Sequence, residues 1–150
     1  MNYYPQTIIW RHRKENLKKC SLRGLEGRED CHFLTYPTDS LPSLEEYVLL
    51  AVDGEPLTAG DADQGLFLID GTWRYAEVMI RQVGKPVQTR SLPRGFVTAY
   101  PRCQQVEAGL ASVEALYAAY SILGRDLEGL LDNYFWKEQF LALNSKLLTC

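Results

Sequence analysis

Two unbroken apolar runs of strand length constrain this chain more than any other feature: Tyr47-Val48-Leu49-Leu50-Ala51-Val52 and Leu66-Phe67-Leu68-Ile69. A strand with one wet face alternates polar and apolar residues. Continuous runs therefore point to strands covered on both faces, as in a parallel sheet with helices on either side. The second run ends in Asp70-Gly71-Thr72 and leads into a predicted helix whose apolar face is Trp73, Ala76, Ile80 and Val83, stopped by Gly84 and Pro86. Thr7-Ile8-Ile9-Trp10 reads as a short opening strand, and Gln88–Ser91 and Phe96–Ala99 as weaker ones. The Gly- and Pro-punctuated stretch up to Pro42 reads as loops with room for one short helix. Ser112 is expected to N-cap a helix bearing Val113, Leu116, Tyr117, Tyr120 and Leu123, with Gly124 just beyond its end. Asp126 is expected to cap a last helix running through Leu147. The class is α/β, a mainly parallel sheet flanked by helices.

At 150 residues and 17.1 kDa the chain fits one domain, residues 1–150, around one core. Its 46% hydrophobic and 23% charged residues exclude a disordered tail, a collagen-like rod and a disulfide-dense mini-protein. A net charge of −3 means that contact with nucleic acid must rest on a local patch. One is visible: Arg11, Arg13, Lys14, Lys18, Lys19 and Arg23, opposed only by Glu15. A spaced set follows at Arg74, Arg81, Lys85, Arg90, Arg94 and Arg102. If these basic groups share a face they would track an RNA backbone; the alternative is separate solvated charges. No segment approaches the roughly 20 apolar residues of a membrane span, and Met1-Asn2-Tyr3-Tyr4-Pro5 does not read as a signal peptide. A soluble, cytoplasmic protein is expected. Cys20, Cys31, Cys103 and Cys150 show no C-x-x-C pair and no His at ligand spacing, so reduced, mostly structural thiols and no metal are expected.

Open parallel sheets bind ligands where loops leave the carboxyl ends of strands. The Asp70-Gly71-Thr72-Trp73 turn lies at such an end, as do the loops around Leu92-Pro93 and Tyr100-Pro101. Neither GxGxxG nor GxxxxGK[ST] is present. Asp70 is either a helix cap or a reactive acid. Trp73 is either core or a ligand wall, and Ser112 a cap that is also compatible with ligand contact.

The segment Leu68-Ile69-Asp70-Gly71-Thr72-Trp73-Arg74 resembles the signature of the DTW-domain superfamily, S-adenosylmethionine (SAM)-dependent 3-amino-3-carboxypropyl (acp) transferases acting on tRNA and rRNA. Thr89-Arg90-Ser91-Leu92-Pro93 is similar to its Arg-x-Leu-Pro step, and Leu110-Ala111-Ser112-Val113-Glu114-Ala115 to its Leu-Ser-Thr-x-Glu-Ala helix start. Lys18-Lys19-Cys20-Ser21 and the run from Trp136 to Asn144 resemble elements of the rRNA-modifying branch. The family's Gly-Lys-Lys is Leu22-Arg23-Gly24 here, and its Ala-x-Asn-Pro is Thr98-Ala99-Tyr100-Pro101.

The resemblance implies a SPOUT-like fold with a C-terminal trefoil knot, a basic N-terminal part (1–45) and a SAM-binding core (46–150). It implies SAM as co-substrate, with Ser21 and Ile69 by the ribose, Leu92 and Ala108 by adenine, Ser112 at the same pocket, and Asp70 and Trp73 toward the methionine end. Several of these contacts would come from backbone groups. The implied activity is acp transfer to a uridine or pseudouridine nitrogen in RNA, rRNA before tRNA, by a monomer. The alternatives are a SPOUT-type RNA methyltransferase and a non-catalytic RNA-binding ribosome-assembly module.

Overall fold

The structure, a computed structural model, describes residues 4–15, 20–71, 73–84, 86–100 and 110–148. Its framework is a five-stranded sheet in the order β2-β1-β4-β3-β5, with every strand pair parallel. The strands are β1 (Thr7–His12), β2 (Cys31–Tyr36), β3 (Tyr47–Pro56), β4 (Gly65–Asp70) and β5 (Gln88–Ser91). Helix α1 (Trp73–Gln82) joins β4 to β5; α2 (Ser112–Leu123), α3 (Lys137–Leu143) and α4 (Ser145–Leu148) follow. The α/β class with a parallel sheet is thus as the sequence predicts. Among the described residues no helix is long and apolar enough to cross a membrane.

The apolar runs have their expected cause. Along β4, Leu66 and Leu68 enter one buried cluster with α2 and the C-terminal segment, while Phe67 and Ile69 enter another with Tyr75, Met79 and Val83 of the α1 region. Both faces of the strand are covered, so neither needs polar residues. Strand β3 is longer than its apolar run because its pairing with β5 shifts, Leu50 and Glu55 both lying opposite Arg90. Gly54 makes that irregularity possible: its φ is +120°, and a Cβ there would sit 2.6 Å from Thr89 Oγ1.

Several expectations are corrected. Residues 31–36 form β2, although they lie in a stretch that reads as loop. As an edge strand, β2 tolerates the polar His32 and Thr35 that break its apolar pattern. Strand β1 continues through Arg11 and His12, both buried, beyond the expected end at Trp10. Helix α1 turns Met79 inward and leaves Ile80 48% exposed, so its inner stripe is Tyr75, Met79 and Val83. Spacing alone allowed either stripe, and packing chose.

Residues 96–99 form no strand; Asn144 substitutes for a neighbouring strand, accepting from Val97 N at 2.7 Å and donating to Val97 O at 2.8 Å. Asp126 caps a turn, its Oδ1 accepting from Glu128 N at 3.0 Å, and no long last helix forms. The N-cap of α2 is Ala111, with Ser112 already helical; Gly124 ends that helix at φ 72° as expected.

Candidate active site at the carboxyl ends of β1 and β4

In this strand order β1 connects outward to β2, whereas β4 connects the other way, past β3, to β5. Loops leaving two adjacent parallel strands in opposite directions open a crevice between them, the usual ligand position in such sheets. Arg11 and Asp70 face each other in register there.

Arg11 Nε donates to Asp70 Oδ2 at 2.9 Å and Nη1 donates to Glu26 Oε2 at 3.1 Å. Its Nη2 contacts Cys20 Sγ at 3.5 Å, and the guanidinium lies 4.6 Å from the Phe33 ring centroid. The Cys20 thiol donates to Asp70 Oδ2 at 3.2 Å. Asp70 is 3% exposed and Arg11 9%, whereas the Glu26 side chain is 44% exposed. Burial pushes the Arg11 guanidinium down, but its bond to Asp70 and the surrounding charges outweigh this and raise it. Burial, then the Asp70 charge, pushes the Cys20 thiol up to about 12, so it stays protonated. Ligand atoms of Glu15, Cys20 and Asp70 lie within 4.8 Å of one another, a set that no sequence spacing reveals. Within this set Asp70 is already engaged, paired with Arg11 and accepting from the Cys20 thiol.

This geometry corrects the expected basic surface. Arg11 belongs to the buried pair because Asp70 and Glu26 neutralise it, while Arg13, Lys14 and Arg23 are exposed. Arg90 is also paired, with Asp61 at 3.4 Å. Lys18, Lys19, Lys85, Ala108, Arg102, Cys103 and Cys150 lie outside the described residues. Trp73 opens α1; its side chain likewise lies outside them.

The structure brings Ser21 to α2: its Oγ accepts from Val113 N at 3.1 Å, across 92 residues of sequence. A hydroxyl distant in sequence thus performs the capping expected of Ser112. Because Cys20 precedes Ser21, the start of α2 is tied directly to the Asp70 cluster. Ser21, Ile69, Leu92 and Ser112 are all half-buried. Ile69 and Leu92 lie at the ends of β4 and β5, with β3 between them, roughly 10 Å apart at ordinary strand spacing. Their side chains pack on opposite faces of the sheet, Ile69 with the Trp10 cluster and Leu92 with the α2 cluster.

Sequence reasoning missed two elements. The Arg11–Asp70 pair was signalled only by opposite charges at the ends of two apolar strands. Glu114, completely buried, accepts four hydrogen bonds; its signal was an acid three residues after a helix cap.

The solved structure of the SAM-dependent rRNA:acp-transferase Tsr3 from Vulcanisaeta distributa matches this chain with a TM-score of 0.75 and 25% identity, over 96% of this chain and 80% of that one. No curated protein sequence gives a significant match. The family described as "Ribosome biogenesis protein, C-terminal" matches residues 48–150. Matched over most of its length, the chain belongs to that ribosome biogenesis family.

Proposed function

We propose that this protein transfers the acp group of SAM to a uridine or pseudouridine nitrogen of rRNA. The observation that carries this reading is the likeness, across nearly the whole chain, to a SAM-dependent rRNA:acp-transferase. The position of the Arg11–Asp70 pair at the sheet's switch point supports it. The groups an adenosyl moiety could use are half-buried: Ser21 and Ser112 offer hydroxyls beside the start of α2, and Ile69 and Leu92, whose side chains pack on opposite faces of the sheet, offer strand-end backbone groups.

We assign Ser21 and Ile69 to the ribose, Leu92 and Ala108 to adenine, and Ser112 to the same pocket; Asp70 and Trp73 face the methionine end. Bound SAM supplies an electrophilic side-chain carbon on its sulfonium. Asp70 either takes the proton of the attacking ring nitrogen or holds the substrate ammonium, and Arg11 and Cys20 fix its carboxylate for either task. The nitrogen–carbon bond forms as the carbon–sulfur bond breaks, and methylthioadenosine leaves with the bonding pair. Holding the two reactants in line supplies most of the rate, about 7–11 kcal/mol at best.

The same reading assigns the chain a single SPOUT-like domain with a trefoil knot, a basic N-terminal part (1–45) and a SAM-binding core (46–150). It assigns a cytoplasmic monomer that meets RNA through Arg13, Lys14, Lys18, Lys19 and Arg23. Incubation with SAM and rRNA tests the activity. Methylthioadenosine supports acp transfer, S-adenosylhomocysteine would mean methyl transfer, and RNA binding without SAM binding would mean a non-catalytic assembly factor. Full transfer by Asp70→Ala would remove Asp70 from both roles.

A further inference from the structure

Glu114 is 0% exposed, yet it sits in the first turn of α2, a helix whose other buried residues are Val113, Leu116, Ala118, Ala119, Tyr120 and Leu123. Its Oε1 accepts from Thr98 Oγ1 at 2.6 Å and from Ala111 N at 2.9 Å. Its Oε2 accepts from Ala99 N and from Tyr134 Oη, each at 2.8 Å. All four of these donors are neutral. A second layer supports the first: Tyr100 N donates to Thr98 Oγ1 at 3.0 Å.

A carboxylate buried with no cation bonded to it among the described residues is a poor way to gain stability, since apolar residues of similar volume usually do as well or better. What it delivers here is geometry. Three segments, the stretch after β5 (Thr98–Tyr100), the entry to α2 (Ala111) and the C-terminal segment (Tyr134), meet on one carboxylate. Two of them flank residues 101–109. Through Ala111 and the Val113–Ser21 bond, this carboxylate also fixes the loop that carries Cys20 to Asp70.

Only glutamate satisfies the arrangement. In Glu114→Gln the amide NH2 faces a backbone N–H whichever way it is turned, Ala111 N on one side and Ala99 N on the other. Aspartate is one carbon too short to keep all four contacts.

We propose that Glu114 is a positioning residue for the SAM-dependent reaction: its carboxylate clasps Thr98 and Ala99 of the stretch after β5, the start of α2 and Tyr134 in the arrangement that binds the nucleoside of the co-substrate. This rests on the acp-transferase reading above. The test compares wild type, Glu114→Gln, and Leu123→Ala, which removes a buried side chain at the far end of the same helix. Melting temperature, SAM affinity by calorimetry well below the melt, and methylthioadenosine release are measured on each.

Glu114→Gln is expected to weaken SAM binding about tenfold or more and to raise KM in proportion, with kcat at saturating SAM within about threefold of wild type. Leu123→Ala is expected to lower the melting temperature at unchanged SAM affinity. SAM affinity of Glu114→Gln within about twofold of wild type, or an equal loss in Leu123→Ala, would overturn the proposal. Should Glu114→Gln not fold, Thr98→Val combined with Tyr134→Phe removes two of the four bonds, and the same thresholds apply. Wild type that binds no SAM would sink the acp-transferase reading together with this one, whereas tight wild-type binding with an unaffected variant sinks the clasp alone.

Discussion

Removing one partner of the Arg11–Asp70 pair leaves the other buried and only partly compensated, and the structure indicates by how much. The two charge centres lie about 4 Å apart, where attraction at an effective dielectric near 20 is roughly 4 kcal/mol. Desolvation offsets much of this in the intact pair but not in a single mutant, for which losses of about 3–5 kcal/mol are usual. Arg11→Met strands Asp70 with the Cys20 thiol as its remaining described partner, so a loss at the upper end follows. Asp70→Asn leaves Arg11 with Glu26, whose side chain is 44% exposed and therefore screened, so a loss of about 3 kcal/mol follows. The double variant should cost little more than either single one, giving a coupling of about 2–3 kcal/mol in a urea-denaturation cycle. That coupling should persist in about 1 M salt, because a buried pair is little screened. The Lys137–Asp132 pair, at 3.7 Å with side chains 40% and 67% exposed, is the surface control and should couple by less than about 0.5 kcal/mol. An Arg11–Asp70 coupling as small as the control's would refute the mutual neutralisation of these two buried charges.

Asn144→Ala removes two bonds to the Val97 backbone and one to Phe140 O, and should cost about 2–3 kcal/mol in a thermal melt. Burial, then a neighbouring aspartate, pushes the Cys20 thiol up to about 12 and Cys31 up to about 11. The unfolded chain loses these protons from about pH 9 and the folded one does not, so stability is whole below pH 9 and falls as pH rises toward 12. Cys20→Ala should flatten part of that fall in denaturation curves at successive pH values; an unchanged slope would contradict the burial of the thiol. Reversing Arg13, Lys14 and Arg23 to Glu should weaken rRNA-fragment binding about tenfold or more near 0.1 M salt and lower the salt slope by roughly two or three. Unaltered filter binding would place the RNA face elsewhere.

The apolar runs at 47–52 and 66–69 determined, by themselves, that a parallel sheet lies between two layers, because only strands covered twice can dispense with polar residues. They also marked the strand end where Arg11 and Asp70 meet, since Asp70 follows one of those runs. Local patterns could not decide matters settled between distant segments. Arg11 reads as surface charge until Asp70 arrives on the neighbouring strand to neutralise it. Residues 96–99 look like a strand until Asn144 takes the bonds a strand would have made. The first turn of α2 gains a cap from Ser21, and Glu114 gathers three segments that no sequence window contains. Burial patterns repeat along a chain and can be read from it. The pairing of a buried charge or a lone hydroxyl depends on which segments folding places within about 3 Å, and that is a property of the tertiary structure.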